Sequence, residues 1–332
     1  MKDIKVNIIL RKPGINYSIE RVFSSIQNHL SSNLKNVNVI SVPCFKINIF
    51  SLLKNLFFCI EKIKGDVNHI TGDIHYVVFA LSRKKTILTI HDLVSIHSNK
   101  GIKRLFFWLF WYYLPCKLVK KVTCISETTK NDLIKTAKCK HDKIIVIPNP
   151  VNDDFEFIPK NFNEIKPTIL HIGTRNNKNL ERVIESLKGI DCHLRIIGDL
   201  DKNQIGLLSE YEIDFSNKIN LSDDEIIKEY ILCDIVSFPS TYEGFGMPII
   251  EGQKTGRVII TSDLEPMKSV AGSGAYFVNP YDIDSLKNGF TTIIKNSTIR
   301  NQLIKNGNKN VKKFSSKKIA ERYISIYNSI LE

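Results

Sequence analysis

The 332-residue sequence predicts an α/β protein made of two doubly wound parallel-sheet domains, and three observations carry that expectation. Short β-branched runs alternate with helix-compatible stretches along the whole chain, the pattern of parallel strands covered by helices. The alternation runs twice, on either side of a stretch rich in Asn, Asp and Pro at 152–167 that reads as a linker. The length also suits two cores rather than one.

Taken in order, the first half offers strands at 6–10, 37–42, 66–70, 86–90, 122–126 and 143–148, with helical segments that include 18–31, 47–64 and 127–137. The second half offers strands at 168–172, 193–197, 218–221, 234–238, 258–261 and 275–278. Residues 316–331 place Ile319, Tyr323, Ile326 and Ile330 at helical spacing. This terminal amphipathic helix either closes its own domain or crosses back to the first. The expected division is therefore 1–160, 161–315 and a final helix at 316–332. Two such domains facing each other leave a cleft between the carboxyl ends of their strands, where ligands of open α/β sheets bind.

Composition narrows the class. Seven cysteines without a CxxC pair point to reduced thiols in a cytoplasmic protein rather than to disulfides or a zinc site. The opening MKDIKVNIIL is strand-like and too short for the core of a signal peptide. All the excess positive charge lies in residues 1–160, with 25 Lys+Arg against 12 Asp+Glu, while 161–332 hold 22 of each sign. That field draws the first half toward an anionic acceptor or an acidic membrane surface, as at the inner face of a plasma membrane. The bland account is a lysine-rich solvated surface. The run LFFWLFWYYL at 105–114, flanked by Lys and Arg, is too short to cross a bilayer. It reads either as a helix buried beside the sheet or as one that inserts at an interface.

The most informative stretch is EGFGMPIIE, from Glu243 to Glu251. It follows a strand-like run and contains Gly244 and Gly246, which let backbone N–H groups approach a ligand unobstructed. Pro248 suits the first turn of a helix, and that helix directs partial positive charge at the turn. Phosphates in the middle, with a hydroxyl-binding carboxylate on each side, describe a nucleotide-sugar. A second loop, HIGTRNNKNL, places Gly173 at a strand end with Arg175 and Lys178 beyond it, two cations able to neutralise a diphosphate. In the first half, His91 and Asp92 end a strand, and Ser126, Glu127 and Lys130 form another strand-end turn whose first task is local capping. The pair Asp282 and Asp284 has DxD spacing, but it opens a helical run, where aspartates cap. No cluster has convincing metal-ligand spacing, so metal-independent chemistry is expected.

PSTYEGFGMPIIEG resembles the signature of retaining GT-B glycosyltransferases, specifically family four (glycosyl transferases group 1). The resemblance implies two Rossmann-like domains and no cofactor beyond a nucleoside-diphosphate sugar donor. Carried over by position, it implies that Glu243 holds the transferred sugar and Glu251 the ribose hydroxyls. The N–H groups of Phe245, Gly246 and Met247 would face phosphate or sugar. The loop with Gly173, Arg175 and Lys178 is similar to the family's donor loop, and His91 to its acceptor-side histidine. Many relatives carry a double glycine after the first strand; here Lys12 to Ser18 hold only Gly14. The expected activity is hexosyl transfer with retention to a saccharide or lipid-linked acceptor, in cell-surface polysaccharide or lipid-linked glycan assembly. A nucleotide-sugar epimerase of similar fold and a basic, non-enzymatic membrane-binding protein are the alternatives. Nothing resembles a nucleic-acid module.

Overall fold

The structure is a computed structural model that describes residues 2–12 and 18–331. Its backbone divides into two compact units, Met1–Asn152 with Ser315–Glu332, and Asp153–Phe314. Each is built on a six-stranded parallel sheet. In the first unit, β1 (Lys2–Leu10), β2 (Leu34–Ser41), β3 (Val67–Ile70), β4 (Thr86–Ile90), β5 (Lys121–Cys124) and β6 (Ile144–Val146) lie in the order β2-β1-β3-β4-β5-β6. The second unit has β7 (Thr168–Ile172), β8 (His193–Ile197), β9 (Phe215–Lys218), β10 (Ile235–Phe238), β11 (Val258–Ser262) and β12 (Tyr276–Val278), in the order β12-β11-β10-β7-β8-β9. Each order reverses once, between β1 and β3 and between β7 and β10, and such reversals open a crevice at the strands' carboxyl ends. Every residue of β3, β4, β10 and β11 is buried, as expected of strands covered on both faces.

Helix α1 (Ser18–Asn33) follows β1. Helix α2 (Ile49–Lys62) starts where the Asn48 side chain accepts from Ser51 N–H at 2.9 Å. Its inner face is pinned by Asn55, which donates to the Tyr76 hydroxyl at 2.7 Å and to the Cys44 carbonyl at 2.9 Å. The aromatic run at 105–114 belongs to a continuous helix that is α over Gly101–Phe107, π over Trp108–Tyr113 and α again over Leu114–Leu118. Pro115 cannot donate to the carbonyl of Trp111 four residues back. The buried His75 supplies the missing donor, its Nδ1 lying 2.7 Å from that carbonyl. Trp111 and Tyr112 are fully buried while Leu105, Phe106 and Phe110 are exposed, so one face of this helix packs and the other meets solvent.

The helix Ser316–Leu331 groups with the first unit. Ile319, Tyr323, Ile326, Tyr327 and Ile330 are buried on it. Under it runs a buried chain of hydrogen bonds, from the Tyr327 hydroxyl to His69 Nδ1 at 2.8 Å, then His69 Nε2 to Thr89 at 2.6 Å and Thr89 to Thr123 at 2.6 Å.

Two expectations are corrected. The first unit ends at Asn152 rather than at residue 160, because the segment that follows packs on the second unit. There Phe155 meets Tyr230 edge-on, Ile158 N–H bonds to the Thr255 carbonyl, and Lys160 pairs with the buried Asp234. The edge strand β9 spans Phe215–Lys218, not 218–221: Asn220 adopts φ +53°, which ends extended backbone, and Ser222 already caps the next helix through a reciprocal bond with Glu225. Gly14, where the sequence departs from the family's double glycine, lies outside the described residues. Among those residues no helix is long and apolar enough to cross a membrane.

Candidate active site

The reversal between β7 and β10 brings together the two loops that the sequence singles out. After β7 the chain enters a short 3-10 turn, Asn176–Lys178, by way of Gly173 at φ +94°. A methyl group on residue 173 would fall 2.9 Å from Lys178 Cγ, so only glycine lets the lysine stem cross back over this turn. Lys178 Nζ lies 4.7 Å from the centroid of the buried Phe238 ring and donates to Glu243 Oε1 at 2.6 Å. Both side chains are largely withdrawn from solvent. A hydrogen-bonded ion pair in this setting is geometrically fixed, unlike an exposed one.

Two asparagines stitch the loops. Asn177 Nδ2 donates to the Tyr242 carbonyl at 3.0 Å and to Glu243 Oε1 at 3.3 Å, and its own carbonyl accepts from Thr241 N–H at 2.9 Å. Asn179 is buried with φ +65°, and its amide reaches the carbonyls of Pro239 and Pro280 at 3.1 and 2.7 Å. It thereby ties together the segments that follow β7, β10 and β12.

The second glutamate lies on the helix Met247–Thr255, which begins at Gly246 with φ +112° and carries Pro248 in its first turn. Gly252 lets this helix lie close against the sheet, since a Cβ there would sit 2.5 Å from Ile259 Cδ1. Phe245 is buried against Phe314, so its side chain serves packing. Glu251 Oε2 accepts from the buried Tyr230 hydroxyl at 2.6 Å. Arg175 is exposed at the loop mouth, its carbonyl accepting from Lys178 N–H at 2.7 Å. Below the loop, burial and then the charge of Lys178 push the His171 imidazole down to about 3, so it is neutral.

In the first unit, His91 stands at the carboxyl end of β4. Its Nε2 lies 2.9 Å from the Thr71 carbonyl, which requires the proton on Nε2 and leaves Nδ1 as an acceptor. Burial pulls its pKa below the ordinary value, against the opposing effects of that carbonyl and of Asp92. Asp92 Oδ1 accepts from Val94 N–H at 3.0 Å. Ser126 caps the helix Glu127–Ala137 through Thr129 N–H, and Asp282 caps its helix through the N–H groups of Asp284 and Ser285. Asn177, Asn179 and Tyr230 are the residues that motif reading passed over. The two asparagines lie within the quoted loop, but Tyr230 has no local signal because it reaches Glu251 across two packed helices.

Residues 152–310 match the family described as Glycosyl transferases group 1, and residues 22–155 match Glycosyltransferase Family 4. The chain is 26% identical to the uncharacterized glycosyltransferase MJ1178 of Methanocaldococcus jannaschii, covering 98% of this chain and 93% of that one. It is 28% identical to the O-antigen chain mannosyltransferase RfbU of Salmonella typhimurium over 64% of this chain and 62% of that one. It is 22% identical to an N,N'-diacetylbacillosaminyl-diphospho-undecaprenol alpha-1,3-N-acetylgalactosaminyltransferase of Campylobacter jejuni, over 86% and 84%. Its fold matches that of Alr3699/HepE from Anabaena, solved with UDP-glucose, at a TM-score of 0.78 with 15% identity, covering 98% and 99% of the two chains. Two parallel six-stranded units with this loop arrangement define a GT-B transferase. The chain belongs to glycosyltransferase family 4, of the group 1 glycosyl transferases.

Proposed function

We propose that the enzyme transfers a hexosyl group, with retention of configuration and without a metal ion, from a nucleoside-diphosphate sugar to a hydroxyl of a saccharide or lipid-linked acceptor. The observation that carries this reading is the Lys178–Glu243 pair at the β7–β10 reversal: one cation for phosphate and one carboxylate for sugar hydroxyls, held by the same two loops. The acceptor oxygen bonds to the anomeric carbon as the bond from that carbon to the β-phosphate oxygen breaks. The nucleoside diphosphate leaves with the electron pair, on the face that the acceptor enters, and its freed β-phosphate oxygen takes the proton that the acceptor hydroxyl gives up.

In this scheme Lys178 and Arg175 stabilise the charge growing on the departing diphosphate, the term that usually dominates such a site. Glu243 orients the sugar. Glu251, held by Tyr230, binds the ribose, and the N–H groups of Phe245, Gly246 and Met247 contact phosphate or sugar. His91, neutral and with Nδ1 open to accept, is assigned to the transferred sugar by its likeness to the family's histidine. The named activities of the Salmonella and Campylobacter relatives favour O-antigen or lipid-linked glycan assembly, and the positive charge of residues 1–160 suits the acidic cytoplasmic face of a membrane.

A thermal-shift screen across UDP-, GDP-, ADP- and dTDP-sugars tests the donor. One class should raise the melting temperature, in proportion to occupancy. The absence of any shift would count against the site. Incubation of the binding donor alone should yield no epimer, and an epimer would replace transfer with epimerisation.

A further inference from the structure

Helix α2 is apolar around most of its circumference, and only part of that surface is used by the fold. Its inner face holds Asn55 and Cys59, with Leu52, Leu56 and Phe58 packed against the core. The opposite face presents Ile49, Phe50, Leu53, Phe57 and Ile60, which are 62, 81, 43, 68 and 61% exposed. Their spacing of three and four residues makes one stripe along the helix. Phe45 and Ile47, both more than half exposed, lead into it. A contiguous apolar face of this kind marks a docking surface rather than ordinary surface scatter.

The charge around the stripe identifies its partner. Residues 45–64 carry Lys46, Lys54, Lys62 and Lys64 against Glu61 alone, a net charge of +3. All these charged side chains are exposed, and Glu61 is 3.4 Å from Lys62. Phenyl and branched aliphatic groups flanked by lysines on a helix too short to span a bilayer suit an in-plane position among anionic headgroups. A second copy of the chain fits less well, because a twofold contact through this stripe would bring the Lys54 side chains toward each other, and interface cores are poor in lysine. The aromatic helix at 105–114 is the weaker candidate: Trp111 and Tyr112 are locked in the core, leaving an edge of Leu105, Phe106 and Phe110, of which the two rings are only about one-third exposed.

We infer that α2 is a bilayer-docking helix, which inserts Phe50, Leu53 and Phe57 among the acyl chains of an acidic phospholipid surface while Lys46, Lys54 and Lys64 meet the headgroups. This deepens the lipid-linked reading of the acceptor and rests on it for its biological purpose. The test, however, uses neither donor nor acceptor, so the two can fail separately.

The full chain is sedimented with vesicles of phosphatidylcholine alone and of phosphatidylcholine with phosphatidylglycerol. Wild type should bind the second and not the first, with binding reduced by salt and by Lys54→Glu. The double variant Phe50→Ser/Phe57→Ser should bind about tenfold more weakly or worse. Its melting temperature should stay near that of wild type, since both rings are exposed. Wild type that ignores anionic vesicles, or a double variant that binds like wild type, overturns the inference. So does a wild-type dimer that the double variant disperses in the absence of vesicles, which would assign the stripe to self-association.

Discussion

The two units share a strand count and a sheet type but spend their polar side chains differently. In the second unit the asparagine amides and the lysine–glutamate pair lie in the loops after β7 and β10, where strand order reverses. In the first unit the comparable network, Tyr327 to His69 to Thr89 to Thr123, lies within the sheet and ties down the terminal helix. Hydrogen bonds invested in a loop preorganise it for one ligand. Those invested under a sheet secure the scaffold and leave its outer surface free to vary. The first unit uses that freedom for positive charge and for the apolar stripe of α2.

The sharpest way to break this contrast is Lys178→Ala. Transfer should fall by about 10² to 10³ in kcat, read in a steady-state assay, with the melting temperature little changed. Unaltered transfer would remove the preorganised loop from the chemistry. Next comes Asn179→Ala, which orphans two buried carbonyls and places alanine at positive φ. It should destabilise the second unit by about 2–3 kcal/mol in chemical denaturation. A neutral result would show that the loops hold without their staple.

Acidification should separate the units by slope. Burial lowers His69 to about 3 and His75 to about 4 in the first unit, and His171 to about 3 in the second. Each stays neutral when folded but takes up a proton when unfolded, so its stabilisation is complete above the ordinary histidine value and is lost as pH falls from there toward the folded value. Each His contributes about 1.4 kcal/mol per pH unit over that window. Calorimetry between pH 7 and 5 should therefore show the first unit's transition falling more steeply than the second's, since burial also lowers His91 there and the raised Asp73 carboxyl offsets only part of the three histidines' effect; equal slopes would reject these assignments. The smallest expected effect is that of Tyr230→Phe. Loss of a hydrogen bond to a charged carboxylate should weaken donor binding by a few-fold to about tenfold by calorimetric titration, with kcat nearly unchanged. Glu251→Ala should weaken it at least as much.

Much of this was legible beforehand, for physical reasons. The buried strands announce themselves because buried parallel strands are short β-branched runs, and the EGFGMPIIE turn carries its glycines, proline and carboxylates within one local stretch. The strand at 218–221 was misplaced because β9 is a polar edge strand with little hydrophobic pattern. The unit boundary was misjudged because Phe155 and Lys160 choose their side by distant partners. Tyr230 was invisible for the same reason. For α2 the composition showed apolar residues all round, but only packing against the Tyr76 turn decides which face remains outside.

The Lys178–Glu243 contact also has a kinetic meaning. Glu243 is a counter-ion for Lys178, so on the proposed reading an incoming diphosphate displaces a carboxylate rather than meeting a bare charge. When the spent nucleotide departs, that carboxylate can return, and release becomes an exchange of one anion for another. Glu243→Gln should therefore slow turnover partly by retaining product, visible as tighter inhibition by the free nucleoside diphosphate.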